Sequence, residues 1–124
     1  MTTQEAINIV DNMKPNAYTY EDKIRWLNEL DGRVHEEVIK KAEDYEEESD
    51  TWEKYQDDDT ESELLIADPY TNAYPEWIGL KIDYANGDIN RYNNSVMTFN
   101  ATYTDYQNWY RRNHIPARPR RWRL

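Results

Sequence analysis

The sequence predicts an all-α protein, a small bundle of about four helices, on three observations. Apolar residues recur at three- and four-residue spacing in four stretches, capping residues open those stretches, and Pro or Asn-Gly signals close them. The bundle is expected over residues 1–113, with a long C-terminal helix and an acidic loop at about 43–63 between the second and third helices. An extended basic arm is expected over 114–124.

Thr2 or Thr3 caps a first short helix whose apolar face is Ala6, Ile7, Ile9, Val10 and Met13, and Lys14-Pro15-Asn16 ends it because Pro cannot continue a helix. A second helix opens with Thr19 as N-cap and Glu21 and Asp22 in the first turn, where the helix dipole favours acids. Ile24, Leu27, Leu30, Val34 and Val38 then recur to about residue 42, flanked by Trp26 and Ile39. Gly32 interrupts this helix at a cost of roughly 1 kcal/mol relative to Ala, which predicts a kink or a close helix contact there.

Residues 43–63 hold 12 acids and one Lys, a charge of -11, so self-repulsion predicts a solvated loop or frayed helix end. Leu64-Leu65-Ile66 brings the chain back to the body. Asp68-Pro69 reads as an N-cap with Pro at the first helical position, yet Pro75 lies too deep for that start. The third helix therefore kinks early or begins near Pro75, and Asn86-Gly87 stops it. Asp88 caps the fourth and longest helix, in which Ile89, Tyr92, Val96, Phe99, Tyr103, Tyr106 and Tyr110 follow a seven-residue repeat. Its other faces carry Asn90, Asn93, Asn94, Thr98, Asn100, Thr102, Thr104 and Asn108, where solvated helices normally use Glu and Lys. Neutral amides and hydroxyls there point to subunit packing, with Tyr92, Phe99, Tyr103, Tyr106 and Tyr110 assigned to it.

Composition narrows the function classes. Leu, Ile, Val and Phe make up 20 of 124 residues, whereas Tyr and Trp number 11 and 5, which predicts a folded chain with a small core completed by neighbouring subunits. The chain has no apolar run near the ~20 residues a membrane span needs and no signal-peptide pattern, so a soluble protein that is not exported is expected. With no Cys, disulfides and thiolate metal sites are excluded. The formal charge of -10 divides sharply: nine bases against 25 acids give -16 over residues 1–110, and the last fourteen residues carry +6.

No catalytic set assembles, and no enzyme, cofactor or metal is expected. "HEEVI" at His35 has the start of a zinc-protease helix but Ile39 where the second His ligand must stand. His114, Arg111 and Arg112 fall at a helix C-terminus, where cations meet exposed carbonyls. Asp57, Asp59, Glu61 and Asp68 take positions 1, 3, 5 and 12 of a calcium loop, but Ser62 replaces the required Gly, so a solvated acidic loop is the expectation. With only Gly32, Gly79 and Gly87 there is no glycine-rich phosphate loop. The tail "RRNHIPARPRRWRL" cannot extend the helix, because Pro116 and Pro119 forbid it. Its Arg and Trp suit phosphates and bases, but the -16 body repels DNA, so a stiff docking arm for an acidic protein surface fits better.

The stretches "KPNAYTYEDKIRWLNELDGRV" and "DPYTNAYPEWIGLKIDYANGDINRYNNSVMTFNATYTDYQNWYRRNH", in that order, resemble the head-to-tail connector (adaptor) proteins of tailed phages and prophages of Gram-positive hosts. The resemblance implies a virion neck component assembled in the host cytoplasm, a homo-oligomeric ring, commonly dodecameric, beneath the portal protein. A further neck or tail protein would bind its far side, and DNA would pass without specific binding. It also implies that the C-terminal extension grips the portal, which assigns docking to Arg118, Arg120, Arg121, Trp122 and Arg123. An acidic lumen, with Asp57, Asp58 and Asp59 as candidates, would let DNA slide, since phosphates find no cations to replace their counterions. The alternative is a small acidic regulator or DNA-mimic inhibitor that binds a basic partner.

Overall fold

Four α-helices, α1 (Thr3–Met13), α2 (Tyr20–Val34), α3 (Ala73–Ala85) and α4 (Ile89–Asn113), build the computed structural model, which describes residues 1–115. A π-helical segment, His35–Ile39, continues α2, and a 3-10 turn, Glu47–Ser49, lies on the way to α3. The described residues contain no strand, only an isolated antiparallel bridge between Thr2 and Glu63. The predicted all-α class, the long fourth helix and the acidic connection between α2 and α3 are all present.

Local chemistry sets each boundary. At α1, Thr2 accepts from the Glu5 N–H while Glu5 accepts from the Thr2 N–H, a reciprocal capping box, and Thr19 with Asp22 repeats it at α2. Pro15 bars α1 from continuing past Met13. The third helix begins at Ala73, neither at Asp68 nor at Pro75. Pro75 is its third residue, within the first turn, where an N–H has no intrahelical acceptor and its loss is cheap. Asp68 instead accepts from the Thr71 hydroxyl at 3.1 Å, after a cis Asp68-Pro69 peptide. Gly87 ends the α3 turn with φ of 74°, a left-handed conformation that glycine adopts without penalty.

The second helix departs from expectation twice. Regular α geometry stops at Val34 rather than near 42, giving way to the π-helical turn. At Gly32 no close contact occurs: a Cβ there would meet nothing within 4 Å, and nothing in the structure explains the glycine.

α3 packs along α4 on one side and against α1 and α2 on the other, so it is the central element. Ile7, Ile24, Leu27, Leu30, Val34, Ile78, Ile82 and Phe99 are buried together. Tyrosines complete this aliphatic-poor core from inside, not only at its margins. Tyr74 and Tyr103 are buried, and their hydroxyls donate to Asp31 at 2.6 Å and to Glu37 at 3.0 Å. Tyr106 is buried as well, with no partner for its hydroxyl among the described residues.

Candidate functional site

α4 is the element that carries the candidate surface. Asp88 caps it by accepting from the Arg91 N–H at 3.2 Å, and Arg111 and Arg112 lie in its last turn, where they complement the helix dipole. Its 25 residues make a rod about 37 Å long. The repeat read from the sequence faces inward: Phe99, Tyr103 and Tyr106 are buried within the chain, and Tyr92, Val96 and Tyr110 are half-buried against the same core. Phe99 stacks on Tyr103 at 5.5 Å and meets Trp77 at 5.1 Å, while Tyr70 closes over Tyr106 and Trp109. Of the five positions assigned to subunit packing, Phe99, Tyr103 and Tyr106 are therefore covered by their own chain, leaving only Tyr92 and Tyr110 partly accessible.

Opposite that stripe lies a second one. Asn90, Asn94, Met97, Ala101, Thr104 and Asn108 alternate spacings of four and three, and all six are exposed. This crest has no charge, although the chain carries -10. Thr98 and Thr102 return their hydroxyls to the carbonyls of Asn94 and Thr98, which satisfies them inside the helix.

A groove flanks the crest on each side. On one side α1, α3 and α4 enclose a cleft of about 510 Å³ between Ile9, Val10, Met13, Glu76 and Thr98. Lys14 spans its floor, donating to Asp83 at 2.7 Å, and Asp83 also accepts from Ser95 at 2.8 Å, so α1, α3 and α4 are tied at one buried carboxylate. One oxygen of Glu76 is buried there without a hydrogen-bond partner among the described residues, and burial raises its carboxyl above the usual range. On the other side Trp77, Lys81, Tyr84, Tyr92 and Val96 border a groove of about 460 Å³. There Lys81 lies over the Trp77 ring at 4.8 Å and pairs with Glu29 at 2.7 Å, and Arg33 lies over Tyr103 and pairs with Glu37 at 2.8 Å.

The acidic segment differs from the solvated loop expected. Its acids Glu43, Asp44, Glu46, Glu47, Glu48, Glu53, Asp57 and Asp58 are exposed, but other residues nail it to the bundle. The Asn28 amide brackets the Tyr55 backbone, accepting from its N–H at 2.8 Å and donating to its carbonyl at 3.1 Å. Tyr55 is buried and donates to Asp31, which also accepts from Tyr74 and from the Leu65 N–H at 3.1 Å. Burial pushes the Asp31 carboxyl up to about 6 against the pull of these three donors. Asp50 joins the His35 imidazole at 2.6 Å and the Tyr45 hydroxyl at 2.5 Å, and His35 stacks on Trp52.

Asp59 is a structural acceptor, unlike its neighbours Asp57 and Asp58. Its carboxylate takes the Ser62 hydroxyl at 2.5 Å, the N–H groups of Ser62 and Glu61, and the Thr3 hydroxyl, which holds it below the usual carboxylate range. A lumen role for Asp59 therefore competes with this anchoring, while Asp57 and Asp58 stay free for solvent. The calcium-loop spacing places Asp59 in this turn, and among the described residues no group of three His, Asp or Glu is arranged to hold a metal.

The arm's root is partly described. His114 stacks on Tyr110 with ring centres 3.6 Å apart, and Ile115 is exposed. The docking residues Arg118, Arg120, Arg121, Trp122 and Arg123 lie outside the described residues. No described helix is long and apolar enough to cross a membrane. Sequence reasoning missed Asp31, though a signal was present: it stands four residues after Leu27 and three before Val34, an acid on the buried stripe. Comparison with family models, curated proteins and solved structures gives no match to this chain.

Proposed function

We propose that this chain is a structural, non-enzymatic subunit of a phage head-to-tail connector ring that binds the portal and extends the DNA channel towards the tail. The observation that carries the reading is the uncharged, exposed crest of α4 in a chain of formal charge -10. Elsewhere on an acidic surface, copies repel one another; along this crest they can meet without burying unpaired charge. The resemblance of residues 14–34 and 68–114 to connector proteins supports the same reading. The exposed acids of residues 43–58 suit a wall past which DNA slides, because they offer phosphates no cation.

The arm, with Arg118, Arg120, Arg121, Trp122 and Arg123, is the portal-docking element of this proposal. Deleting residues 116–124 tests it: the truncated chain keeps its helical circular dichroism and loses binding to the portal protein encoded with it. Unchanged affinity of the truncated chain for the portal overturns the assignment. A second reading, an acidic inhibitor that mimics DNA charge, is favoured by the exposed acids Glu46, Glu47, Glu48, Asp57 and Asp58. Such an inhibitor binds a basic protein as a single copy and without need of the arm.

A further inference from the structure

Five large apolar side chains are exposed, and their distribution is not random. Met13 is 76% exposed at the rim of the α1/α3/α4 cleft; Tyr84 and Ile89 are 64% and 65% exposed, Tyr84 on the border of the opposite groove and Ile89 in the first turn of α4 beside it. Met97 stands between them on the crest. At 100° per residue, the cleft side of α4 (Asn94, Ser95, Thr98) and the groove side (Tyr92, Val96, Phe99, Asn100) lie about 140° apart around the helix. The two apolar flanks therefore face in roughly opposite directions.

Their charges are complementary. The cleft holds the buried, unpartnered Glu76 oxygen, so an occupant must supply a hydrogen-bond donor. The opposite groove carries the cations Lys81 and Arg33, each already balanced by one acid of its own chain. Neither flank shows the acid excess that covers the 43–63 segment.

The geometry points to a head-to-tail contact between copies of this chain, in which the Tyr84/Ile89 flank of one copy seats on the Met13/Glu76 cleft of the next. The occupant is a second copy because it offers the two things the cleft lacks, an uncharged apolar projection and nearby donors, without adding net negative charge at the joint. A contact between two different patches repeats from copy to copy, and faces set at an open angle let the series curve back on itself. This deepens the connector proposal by naming the subunit joint, and rests on it only for closure into a ring.

The test uses the full chain with Met13→Lys and, separately, Ile89→Glu, both at exposed positions, with circular dichroism to confirm folding. Sedimentation from micromolar to millimolar concentration reads the association. Wild type associates, more tightly as salt screens the mutual repulsion of acidic copies. Each variant alone associates at least tenfold more weakly, and an equimolar mixture recovers assembly, because Lys at position 13 of one chain then faces Glu at position 89 of the other. A wild-type chain that stays monomeric throughout, or variants that associate as well as wild type, overturns the joint. Portal binding is measured in the same preparations. Variants that still ring the portal sink this joint and leave the connector reading standing; self-association with no portal binding does the reverse.

Discussion

Asp31 lets the buried network be tested by pH alone. Its carboxyl is fully buried and ionises at about 6 in the folded chain, against an ordinary value of 3.8. A carboxyl with a raised folded value binds its proton more tightly when folded, so it stabilises the fold below the unfolded value and loses that contribution as pH rises through 6. The 2.2-unit difference corresponds to about 3 kcal/mol in the fully protonated limit. Between pH 7 and pH 5 the linkage integral gives a gain of about 1.3 kcal/mol, or roughly 5 °C in melting temperature for a domain of this size. Asp31→Asn has no proton to bind, and its amide cannot accept from Tyr55, Tyr74 and Leu65 together, so the variant lacks the gain between pH 7 and pH 5. Urea unfolding followed by Trp fluorescence at the two pH values measures it. Carboxylates held low, such as Asp59, act only as pH falls further through their depressed values, so the difference between wild type and variant isolates Asp31. An equal pH response in the two proteins refutes the assignment of that proton to Asp31, and so does a wild type that loses stability on going from pH 7 to 5.

Other predictions concern single residues. Asp57→Asn and Asp58→Asn change stability by no more than about 0.5 kcal/mol, while Asp59→Ala, which strips the Ser62, Glu61 and Thr3 donors of their acceptor, costs about 1–3 kcal/mol in the same unfolding assay. Equal effects at the three positions would show that the acidic segment is not anchored at Asp59. Gly32→Ala stabilises by up to about 1 kcal/mol, because its Cβ enters open space in the body of α2; a loss of stability would reveal a packing constraint at that position. Phe99→Ala lowers stability by about 3–5 kcal/mol as a core truncation; a near-neutral result would return Phe99 to a subunit surface.

Helix existence was legible because caps and stop signals act within a few residues. Thr2, Thr19, Asp88, Pro15 and Gly87 do in the structure what their chemistry predicts. Where a boundary depends on distant partners the sequence was silent. The start of α3 is set by burial of Ala73 and Tyr74, whose hydroxyl reaches Asp31 forty-three residues earlier, and no local motif records that link. The seven-residue repeat of α4 located one face correctly but not its partner: a heptad stripe covered by α3 within a chain looks the same as one covered by another subunit. Which face stayed free could be read only once the core was placed, and the free face proved to be the uncharged crest. For the acidic segment, net charge masked the two residues that hold it, Tyr55 and Asp59, since charge summed over 21 residues says nothing about which side chain turns inward.

The measurement that bears most directly on the connector proposal is the mass of the complex formed when the purified chain is mixed with the portal protein encoded with it. Mass photometry or native mass spectrometry counts the copies. A ring subunit gives one discrete complex in which many copies, one ring's worth, add to each portal, and electron microscopy of that complex shows them as a closed layer continuing the channel. A mixture in which the chain and the portal remain separate at every concentration, or in which single copies decorate the portal without a layer, contradicts the proposal.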